Sequence, residues 1–432
     1  VSNDPADGLD SVIETLVQST GTFTGTDVVT VTDRFSWSGG WQTGAGETVI
    51  APGADLLLSG GSRYVSGRVL RNRSATTTSR WTGGNLYLNG AAGAFVNEGT
   101  LEVAVSSGTL HVYNYAGGAD RPLFDNRGTL VKTGAGQLYQ EWDTTLVGDG
   151  LLDAQAGTVT LRSFQVDGAT WQVADGALVQ QTWDGYAGNL LRDVTLAGSG
   201  ELRFTNRTTT LEGGLTVPAG FTLRQTAGTV VSNDLVSIDG TFRWEGGWQT
   251  GSGERRVTPG GELVLTGGTK YLSGPVLVNE SATSRWDSGN FYLNGSGSLV
   301  NAPGAVLRIE ATGSASRHLY NSSSGDDRPV FDNQGTVVVN TGTGRWYQEW
   351  NTDFQSTGTL AVEAGYAELR NFDQLGGSWD IAPGAFVYVT QAGNTGPGNT
   401  VTDTAITGGG YFRQHAWTTL FGGTTTYDLP EL

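Results

Sequence analysis

Short stretches in which apolar and polar residues alternate recur along the chain. Residues 124–131 show the template: Phe, Asp, Asn126, Arg, Gly128, Thr and then alternating apolar positions. Alternation with a period of two predicts a half-buried strand, and Asn-x-Gly supplies the left-handed backbone that a sharp corner needs. The template also begins at Phe95 and Phe331. Related phrases follow one another about every 20–27 residues, the length of one supersecondary repeat.

Two all-β folds fit such strands: a string of antiparallel sandwiches and a parallel β-helix. Sandwiches predict units of roughly 100 residues, whereas a repeat of about 22 residues fits the coils of a β-helix. Asn residues at equivalent corners also predict a ladder in which each side-chain amide bonds to the next. We therefore predict an all-β, right-handed parallel β-helix (β-solenoid) of roughly 18 coils, on the order of 85 Å long.

The chain also repeats itself on a longer scale. The stretch Trp-Ser-Gly-Gly-Trp-Gln-Thr-Gly at 37–44 returns as Trp-Glu-Gly-Gly-Trp-Gln-Thr-Gly at 244–251, 207 residues later. The correspondence continues almost to the C-terminus, interrupted by the small insertions and deletions that loops tolerate. We predict a cap or linker remnant at 1–13, a first β-helix copy at 14–220 and a second, continuous copy at 221–432.

Composition narrows the possible functions. The chain of 432 residues carries 42 acidic and 25 basic residues, a net charge of −17, and contains no Cys. This acidic field and the absence of a Lys/Arg cluster argue against nucleic acid as a partner. No run of 18 apolar residues appears, so we expect no direct membrane insertion. The 67 Gly and many aromatic residues indicate a folded chain rich in turns.

A resemblance follows from these phrases. The Asn-x-Gly-Thr template, with Gly-Gly-Thr-Lys-Tyr-Leu-Ser-Gly at 267–274 and Trp-Thr-Gly-Gly-Asn-Leu-Tyr at 81–87, resembles the β-solenoid repeats of large secreted bacterial surface proteins and adhesin-like exoproteins. The resemblance covers nearly the whole chain. It implies an extracellular or bacterial cell-surface location and a role as a stalk or an adhesive module.

Tryptophan is the first candidate binding residue. A flat aromatic ring matches the C–H face of a sugar, but it can equally fill the interior of a solenoid. Trp41 and Trp248 lie among Gly residues, which predicts a loop and therefore an exposed pair. Five Trp positions recur in both copies: 37/244, 41/248, 81/286, 142/350 and 171/379.

A His, an Asp and an Arg recur at the same spacing and form the second candidate. Such a set is typical of an acid/base or ligand-binding group. The alternative is an Asp–Arg ion pair that holds a surface loop on the solenoid. The two sets are His111, Asp120 and Arg121 in the first copy, and His318, Asp327 and Arg328 in the second.

The third candidate places a carboxylate between two aromatic residues, so that the carboxylate binds sugar hydroxyls while the rings stack. Strand alternation puts Tyr139 and Glu141 on one face and Gln140 and Trp142 on the other, which would divide the group. The equivalent set is Tyr347, Glu349 and Trp350. The acidic pair at 326–327 suggests calcium, but the oxygen-rich spacing of a calcium loop is missing. We therefore predict no metal site and no cofactor.

These features support three functions. The first is a non-catalytic extracellular module, a rigid stalk of a bacterial surface protein that binds polysaccharide or cell-surface glycans through its duplicated aromatic patches. Duplication doubles a binding patch and so increases avidity. The second is a polysaccharide lyase or glycoside hydrolase on a β-helix scaffold, although an enzyme normally uses one unique carboxylate cluster. The third is a subunit that associates end to end through open strand edges.

Overall fold

The protein is an all-β solenoid. The computed structural model describes residues 10–75, 79–115, 120–182, 188–322, 328–390, 399–415 and 418–429. Every regular element in these ranges is a strand, and the strands stack as parallel coils in about 18 turns. The predicted β-solenoid is therefore confirmed, and its right-handed winding stays a prediction. None of these ranges contains a helix with the length and apolar character that a membrane crossing needs.

The chain divides into two compact units, Val1–Leu215 and Thr216–Leu432. The first 26 strands are β1 Ser11–Gln18, β2 Thr22–Thr24, β3 Val28–Trp37, β4 Gly40–Thr43, β5 Glu47–Ile50, β6 Asp55–Leu58, β7 Arg63–Ser66, β8 Val69–Asn72, β9 Arg80–Trp81, β10 Leu86–Asn89, β11 Ala94–Asn97, β12 Thr100–Ala104, β13 Thr109–Tyr113, β14 Leu123–Asn126, β15 Thr129–Thr133, β16 Gln137–Gln140, β17 Thr145–Gly148, β18 Leu151–Ala154, β19 Thr158–Leu161, β20 Phe164–Asp167, β21 Thr170–Val173, β22 Leu178–Gln181, β23 Asn189–Arg192, β24 Thr195–Gly198, β25 Glu201–Phe204 and β26 Thr208–Glu212.

The remaining strands follow in the same order along the chain. They are β27 Leu215–Val217, β28 Thr222–Gln225, β29 Thr229–Ser232, β30 Val236–Ile238, β31 Thr241–Trp244, β32 Gly247–Thr250, β33 Glu254–Val257, β34 Glu262–Leu265, β35 Lys270–Ser273, β36 Val276–Asn279, β37 Ser284–Trp286, β38 Phe291–Asn294, β39 Ser298–Asn301, β40 Val306–Glu310, β41 Ser316–Tyr320, β42 Val330–Asn333, β43 Thr336–Gln348, β44 Asp353–Ser356, β45 Thr359–Leu369, β46 Phe372–Leu375, β47 Ser378–Ile381, β48 Phe386–Val389, β49 Asn399–Thr402, β50 Ala405–Gly408, β51 Tyr411–Gln414, β52 Thr419–Gly422 and β53 Thr426–Asp428.

Three strands make one turn, so each unit has three lengthwise faces. We call them A, B and C in each unit and give the same letter to the faces built from equivalent strands of the two units, such as β4 and β32. Face A runs through β6, β9, β12 and β15 in the first unit and through β31, β34, β37 and β40 in the second. Face B runs through β4, β7, β10, β13, β16, β19 and β22, and through β32, β35, β38 and β41. Face C runs through β5, β8, β11 and β14, and through β33, β36, β39 and β42. The longer strands β43 and β45 each contribute to faces A and B.

Strand alternation decides which side chains enter the interior. In β6, Leu56 and Leu58 are buried, whereas Asp55 and Leu57 face outward. Corners between faces use Gly where the backbone turns sharply: Gly251 has φ +97°, and a Cβ there would lie 2.2 Å from the carbonyl oxygen of Ser232. A left-handed conformation combined with so close an approach admits Gly alone.

The predicted ladder of Asn side chains is present on face C in both units. The Asn72 Nδ2 donates to Asn97 Oδ1 at 2.8 Å, and Asn97 Nδ2 donates to Asn126 Oδ1 at 2.8 Å. In the second unit, Asn279 and Asn301 repeat the bond at 2.9 Å, and Asn301 continues it to Asn333 at 2.8 Å. Each amide is buried, and its Nδ2 donates to the next coil.

Buried cations are the less expected part of the interior. Arg63 and its equivalent Lys270 are both 0 % exposed. The Arg63 guanidinium donates to the carbonyl oxygens of Ser59 and Gly83, each at 2.6 Å. The Lys270 Nζ donates to the carbonyl oxygens of Gly268 at 2.8 Å and of Ser288 at 2.7 Å. Burial lowers the pKa of Lys270 to about 7.

Replacing Asn97 with Ala should destabilise the first unit. The change removes the hydrogen bond that Asn97 donates to Asn126 Oδ1 and leaves buried polar atoms unpaired. We expect the free energy of unfolding to fall by about 2 kcal/mol. Chemical denaturation of the Asn97→Ala variant measures this loss. Asn340→Ala is the control, because the Asn340 side chain donates to the surface carboxylate of Glu363 and takes no part in the ladder. Equal losses in the two variants would contradict a stabilising ladder.

The buried Lys270 should make stability depend on pH. Its pKa is about 7 when folded and ordinarily 10.5, so between these values the unfolded chain binds more protons and stability rises with pH. Denaturation of Lys270→Arg at pH 7 and pH 9 should show a smaller rise than in the parent protein, because the equivalent Arg63 keeps its charge up to a pKa of about 10. An unchanged rise would contradict this origin.

Candidate functional site

Aromatic rings stack along the outer side of face B in the first unit. Trp41, Tyr64, Tyr87 and Tyr113 occupy equivalent outward positions of β4, β7, β10 and β13. Their ring centroids are 4.1, 4.6 and 5.0 Å apart, and neighbouring planes differ by 15° or less. Parallel strands lie about 4.8 Å apart, so outward rings in register are close enough to stack face to face.

The stack continues sideways through a histidine. His111 is two residues before Tyr113 on β13, and their rings are 4.8 Å apart at 12°. On the next coil Tyr139 lies opposite His111, with centroids 5.3 Å apart. We call the six rings from Trp41 to Tyr139 the first aromatic ladder.

The second unit repeats this arrangement. Trp248 and Tyr271 stack at 4.1 Å, and His318 stacks on Tyr320 at 5.1 Å and on Tyr347 at 4.4 Å. The second aromatic ladder consists of Trp248, Tyr271, Tyr292, Tyr320, His318 and Tyr347. Six rings of the same residue types therefore stand in the same order in both copies.

A carboxylate and an arginine complete the end of each ladder. In the first unit Glu141 Oε1 lies 3.0 Å from His111 Nδ1, and Glu141 Oε2 accepts from Arg162 Nη1 at 2.8 Å. The equivalent distances in the second unit are 3.0 Å from His318 to Glu349 and 2.5 Å from Arg370 to Glu349.

The environment of Glu141 favours its charged form. Burial alone raises the pKa of this carboxyl group, but the bonds with His111 and Arg162 more than offset burial, and the net pKa lies below its ordinary value of 4.5. Burial, followed by the charge of Glu141, raises the pKa of the neighbouring Tyr113 phenol. The group therefore presents an anchored carboxylate, an oriented imidazole and neutral phenols.

The recurring Trp residues divide between the interior and the surface. Trp41 and Trp248 lie outward, and Trp248 is 38 % exposed. Their predicted exposure agrees with the structure, but the predicted loop is wrong: both lie within strands, β4 and β32, whose first residue is a Gly with positive φ. The recurring Trp residues that fill the interior are Trp37, Trp81, Trp171, Trp244, Trp286 and Trp379.

As strand alternation predicted, Tyr139 and Glu141 lie on one side, where both contact His111, but Trp142 does not follow Gln140 into the interior. Strand β16 ends at Gln140, so alternation does not extend to Trp142. Gln140 is buried, whereas Trp142 is half-buried and its equivalent Trp350 is 49 % exposed. Tyr347 and Glu349 likewise both contact His318. The histidines of the second sequence candidate thus meet the tyrosines and glutamates of the third.

Asp120 and the two arginines next to the predicted aspartates have other roles. The Asp120 carbonyl oxygen accepts from Asn114 Nδ2 at 2.9 Å, and Arg121 Nη1 donates to Ser163 Oγ at 2.8 Å. Arg328 approaches Asp353 to 3.8 Å. His111 instead meets Glu141, because Glu141 follows the strand stacked directly on that of His111. The predicted residue Asp327 lies outside the described residues.

Several residues of the site were not predicted from the sequence. Tyr64, Tyr87 and Tyr113 recur as Tyr271, Tyr292 and Tyr320 at outward strand positions, and this duplicated tyrosine pattern was the available signal. The repeated phrases Leu-Arg-Ser-Phe at 161–164 and Leu-Arg-Asn-Phe at 369–372 likewise mark Arg162 and Arg370.

The described part of the chain contains no group of three His, Asp or Glu side chains placed to hold a metal ion. The acidic pair at 326–327, which suggested calcium, lies outside that part. The groups that the ladders do present are aromatic rings, phenols, an imidazole and a carboxylate.

The copies differ at a position beside the ladder. Tyr115 is 66 % exposed and lies nearly perpendicular to Trp41, Tyr64 and Tyr87, with centroids 5.7–6.3 Å away. Its backbone N–H donates to Asn89 Oδ1 at 2.8 Å. Ser322 takes this position in the second unit and bonds to the equivalent Asn294. The second ladder thus has no ring in this place.

Comparison with known proteins found no relative: neither a protein-family model nor a curated protein matches the chain.

Replacing Glu141 with Gln should reduce the sensitivity of the first unit to acid. A carboxyl group whose pKa is lowered on folding stabilises the protein above its unfolded pKa of about 4.5, and this stability is lost as the pH falls further. The Glu141→Gln variant should lose about 2 kcal/mol near pH 7 and show a weaker decline below pH 4.5. Denaturation at several pH values measures both effects.

Glu201→Gln provides the control, because Glu201 forms a surface pair with Arg203. Its loss should stay below about 1 kcal/mol. If the stability of Glu141→Gln fell below pH 4.5 as steeply as that of the parent protein, Glu141 would not be a source of the acid sensitivity.

Proposed function

We propose that the chain is a non-catalytic binding module that recognises glycans along the two aromatic ladders. The observation that carries this proposal is the recurrence of six outward rings, closed by a His–Glu–Arg group, at equivalent positions of both units. Outward residues do not fill the core, so the fold alone does not require these rings.

Other coils of face B show that the fold does not require outward rings. Beyond Tyr139 the equivalent outward positions carry Thr160 and then Gln180, and the coils continue with the same strand pairing. Aromatic rings are therefore dispensable for stacking of the coils. Their preservation in two copies favours a role in binding.

The stacked geometry changes the expected mode of contact. Neighbouring ladder rings cover each other's faces at 4.1–5.0 Å, so a sugar meets ring edges and phenol hydroxyls rather than open ring faces. Tyr hydroxyl groups both donate and accept hydrogen bonds, as sugar hydroxyls do. A row of phenols one strand apart, ending at an imidazole, thus suits an extended polyhydroxylated ligand.

The resemblance to bacterial surface proteins supports an extracellular or cell-surface location as part of the same proposal. A solenoid that carries two copies of one binding surface suits a stalk or adhesive module, because two weak sites on one chain raise the avidity for a repeating polymer.

Substitution of the central ring in each ladder tests the proposal. The double variant Tyr64→Ser, Tyr271→Ser interrupts both stacks, and we expect it to bind glycans about tenfold more weakly. A glycan array followed by calorimetry with the best neutral oligosaccharide measures the change. Tyr427→Ser is the control, because Tyr427 is 57 % exposed and belongs to neither ladder.

Thermal unfolding of both variants shows whether the fold is retained. Unchanged affinity in the double variant, or no binding of the parent protein to any glycan, would overturn the proposal.

A catalytic alternative has one specific observation in its favour. His111 is held by Glu141, and its ring lies between those of Tyr113 and Tyr139, an arrangement that suits proton transfer during cleavage of a polysaccharide. Under this alternative, incubation with glycans releases reducing or unsaturated ends, and the double variant His111→Gln, His318→Gln abolishes the release. The non-catalytic proposal expects no such products.

A further inference from the structure

The second unit carries an additional aromatic surface on face B. Tyr366 and Phe386 stack with centroids 4.8 Å apart at 12°, and Phe386 and Tyr411 follow at 5.1 Å and 26°. These rings occupy the outward positions of β45, β48 and β51. Tyr388 lies two residues beyond Phe386 on the same side of β48. We call these four rings the distal aromatic patch.

Two guanidinium groups lie on this patch. The Arg345 guanidinium is 4.7 Å from the ring centroid of Tyr366 and 6.0 Å from that of Tyr388. The Arg413 guanidinium is 5.8 Å from the Tyr388 centroid. Cations over aromatic faces keep their charge available to a ligand while the ring fixes their position.

The first unit builds the same coils without these aromatic rings. Thr158, Leu178 and Glu201 take the places of Tyr366, Phe386 and Tyr411, and Thr160 and Gln180 stack where Glu368 and Tyr388 stand. Strand register is the same in both. Packing therefore does not demand the distal aromatic patch.

The charges around the patch favour an anion. Glu368 is buried, and it pairs with Arg345 at 2.9 Å and with Arg370 at 3.1 Å. Glu349 pairs with Arg370 as well. Arg413 is exposed and forms no ion pair within the ranges that the structure describes. One positive charge is thus left on an aromatic surface of a chain whose net charge is −17.

We propose that the distal aromatic patch is a separate site for an anionic sugar, which places its acidic group on Arg413 and its apolar ring atoms against Tyr388 and Phe386. Guanidinium groups bind carboxylate and sulfate oxygens through paired hydrogen bonds. The shared chemistry is a sugar ring with one acidic substituent. This proposal does not rest on glycan binding by the two ladders.

A variant copied from the first unit tests the site without disturbing the coil. The triple variant Tyr366→Thr, Phe386→Leu, Tyr388→Gln carries the residues that the first unit uses at the same positions. We expect it to bind oligogalacturonate about tenfold more weakly, and Arg413→Gln to weaken binding by a similar factor. Calorimetry with oligogalacturonate measures both, and thermal unfolding checks that the fold is retained.

Three probes identify the chemistry. Methyl-esterified oligogalacturonate keeps the sugar ring but loses the charge, so it should bind as weakly to the parent protein as the free acid binds to Arg413→Gln. A sulfated oligosaccharide distinguishes a site for any anionic sugar from one restricted to carboxylates. Arg308→Gln is the matched control, because Arg308 is an outward arginine of face A paired with Glu363.

Unchanged oligogalacturonate binding in the triple variant would overturn the proposal, as would equal affinity for the methyl ester and the free acid. The variant Tyr64→Ser, Tyr271→Ser should bind oligogalacturonate normally, which separates this site from the ladders. As a gain-of-function test, Thr158→Tyr, Leu178→Phe, Gln180→Tyr, Glu201→Tyr should strengthen binding by the first unit, because Arg203 stands at the position of Arg413 and the last change removes its partner Glu201.

Discussion

The structure depends on in-register stacking of parallel strands at a spacing of about 4.8 Å. Once each coil lies in register on the one before, every residue meets its counterpart at that distance, both inside and outside. Amides then form the Asn72–Asn97–Asn126 ladder within the core, and rings form the ladder from Trp41 on the surface. The Asn ladder and the aromatic ladder thus both result from the register between coils, one from polar and the other from aromatic side chains.

The interior shows how strictly this constraint acts on polar groups. A buried Gln pair occurs in both units, with Gln42 bonded to Gln18 and Gln249 bonded to Gln225. In the second unit the Arg255 Nε donates directly to Gln249 at 2.9 Å. The first unit has Thr48 at the position of Arg255 and reaches the same Gln through Thr48 and Arg68, with each bond 2.8 Å long. Two different residue sets thus satisfy one buried amide, as the cost of an unpaired polar group requires.

Features that depend on local spacing, such as the strands and the Asn ladder, could be predicted from the sequence. Contacts that depend on the length of a coil could not. Asn-x-Gly corners recur at fixed local positions, so the Asn ladder and the strands could be read directly. The pairing of His111 with Glu141 depends on a coil of 28 residues, whereas Tyr64 and Tyr87 are separated by 23. Loops between strands set these lengths and follow no pattern of apolar residues. For the same reason, strand alternation failed at Trp142, which lies just beyond the end of its strand.

Outward positions are where the two copies were free to diverge. Core residues such as Trp37 and Trp244 recur because a change would leave a cavity, whereas an outward ring is constrained only by its two stacking neighbours. Tyr115 and Ser322 differ at the edge of the ladders, and Tyr366 and Thr158 differ beyond their ends. The twelve rings of the two ladders have nevertheless kept residue type and order. Since stacking of the coils tolerates Thr and Gln at such positions, this retention supports the proposal that a ligand contacts the ladders. Under the same proposal, the divergent positions would let the two units differ in what else they bind.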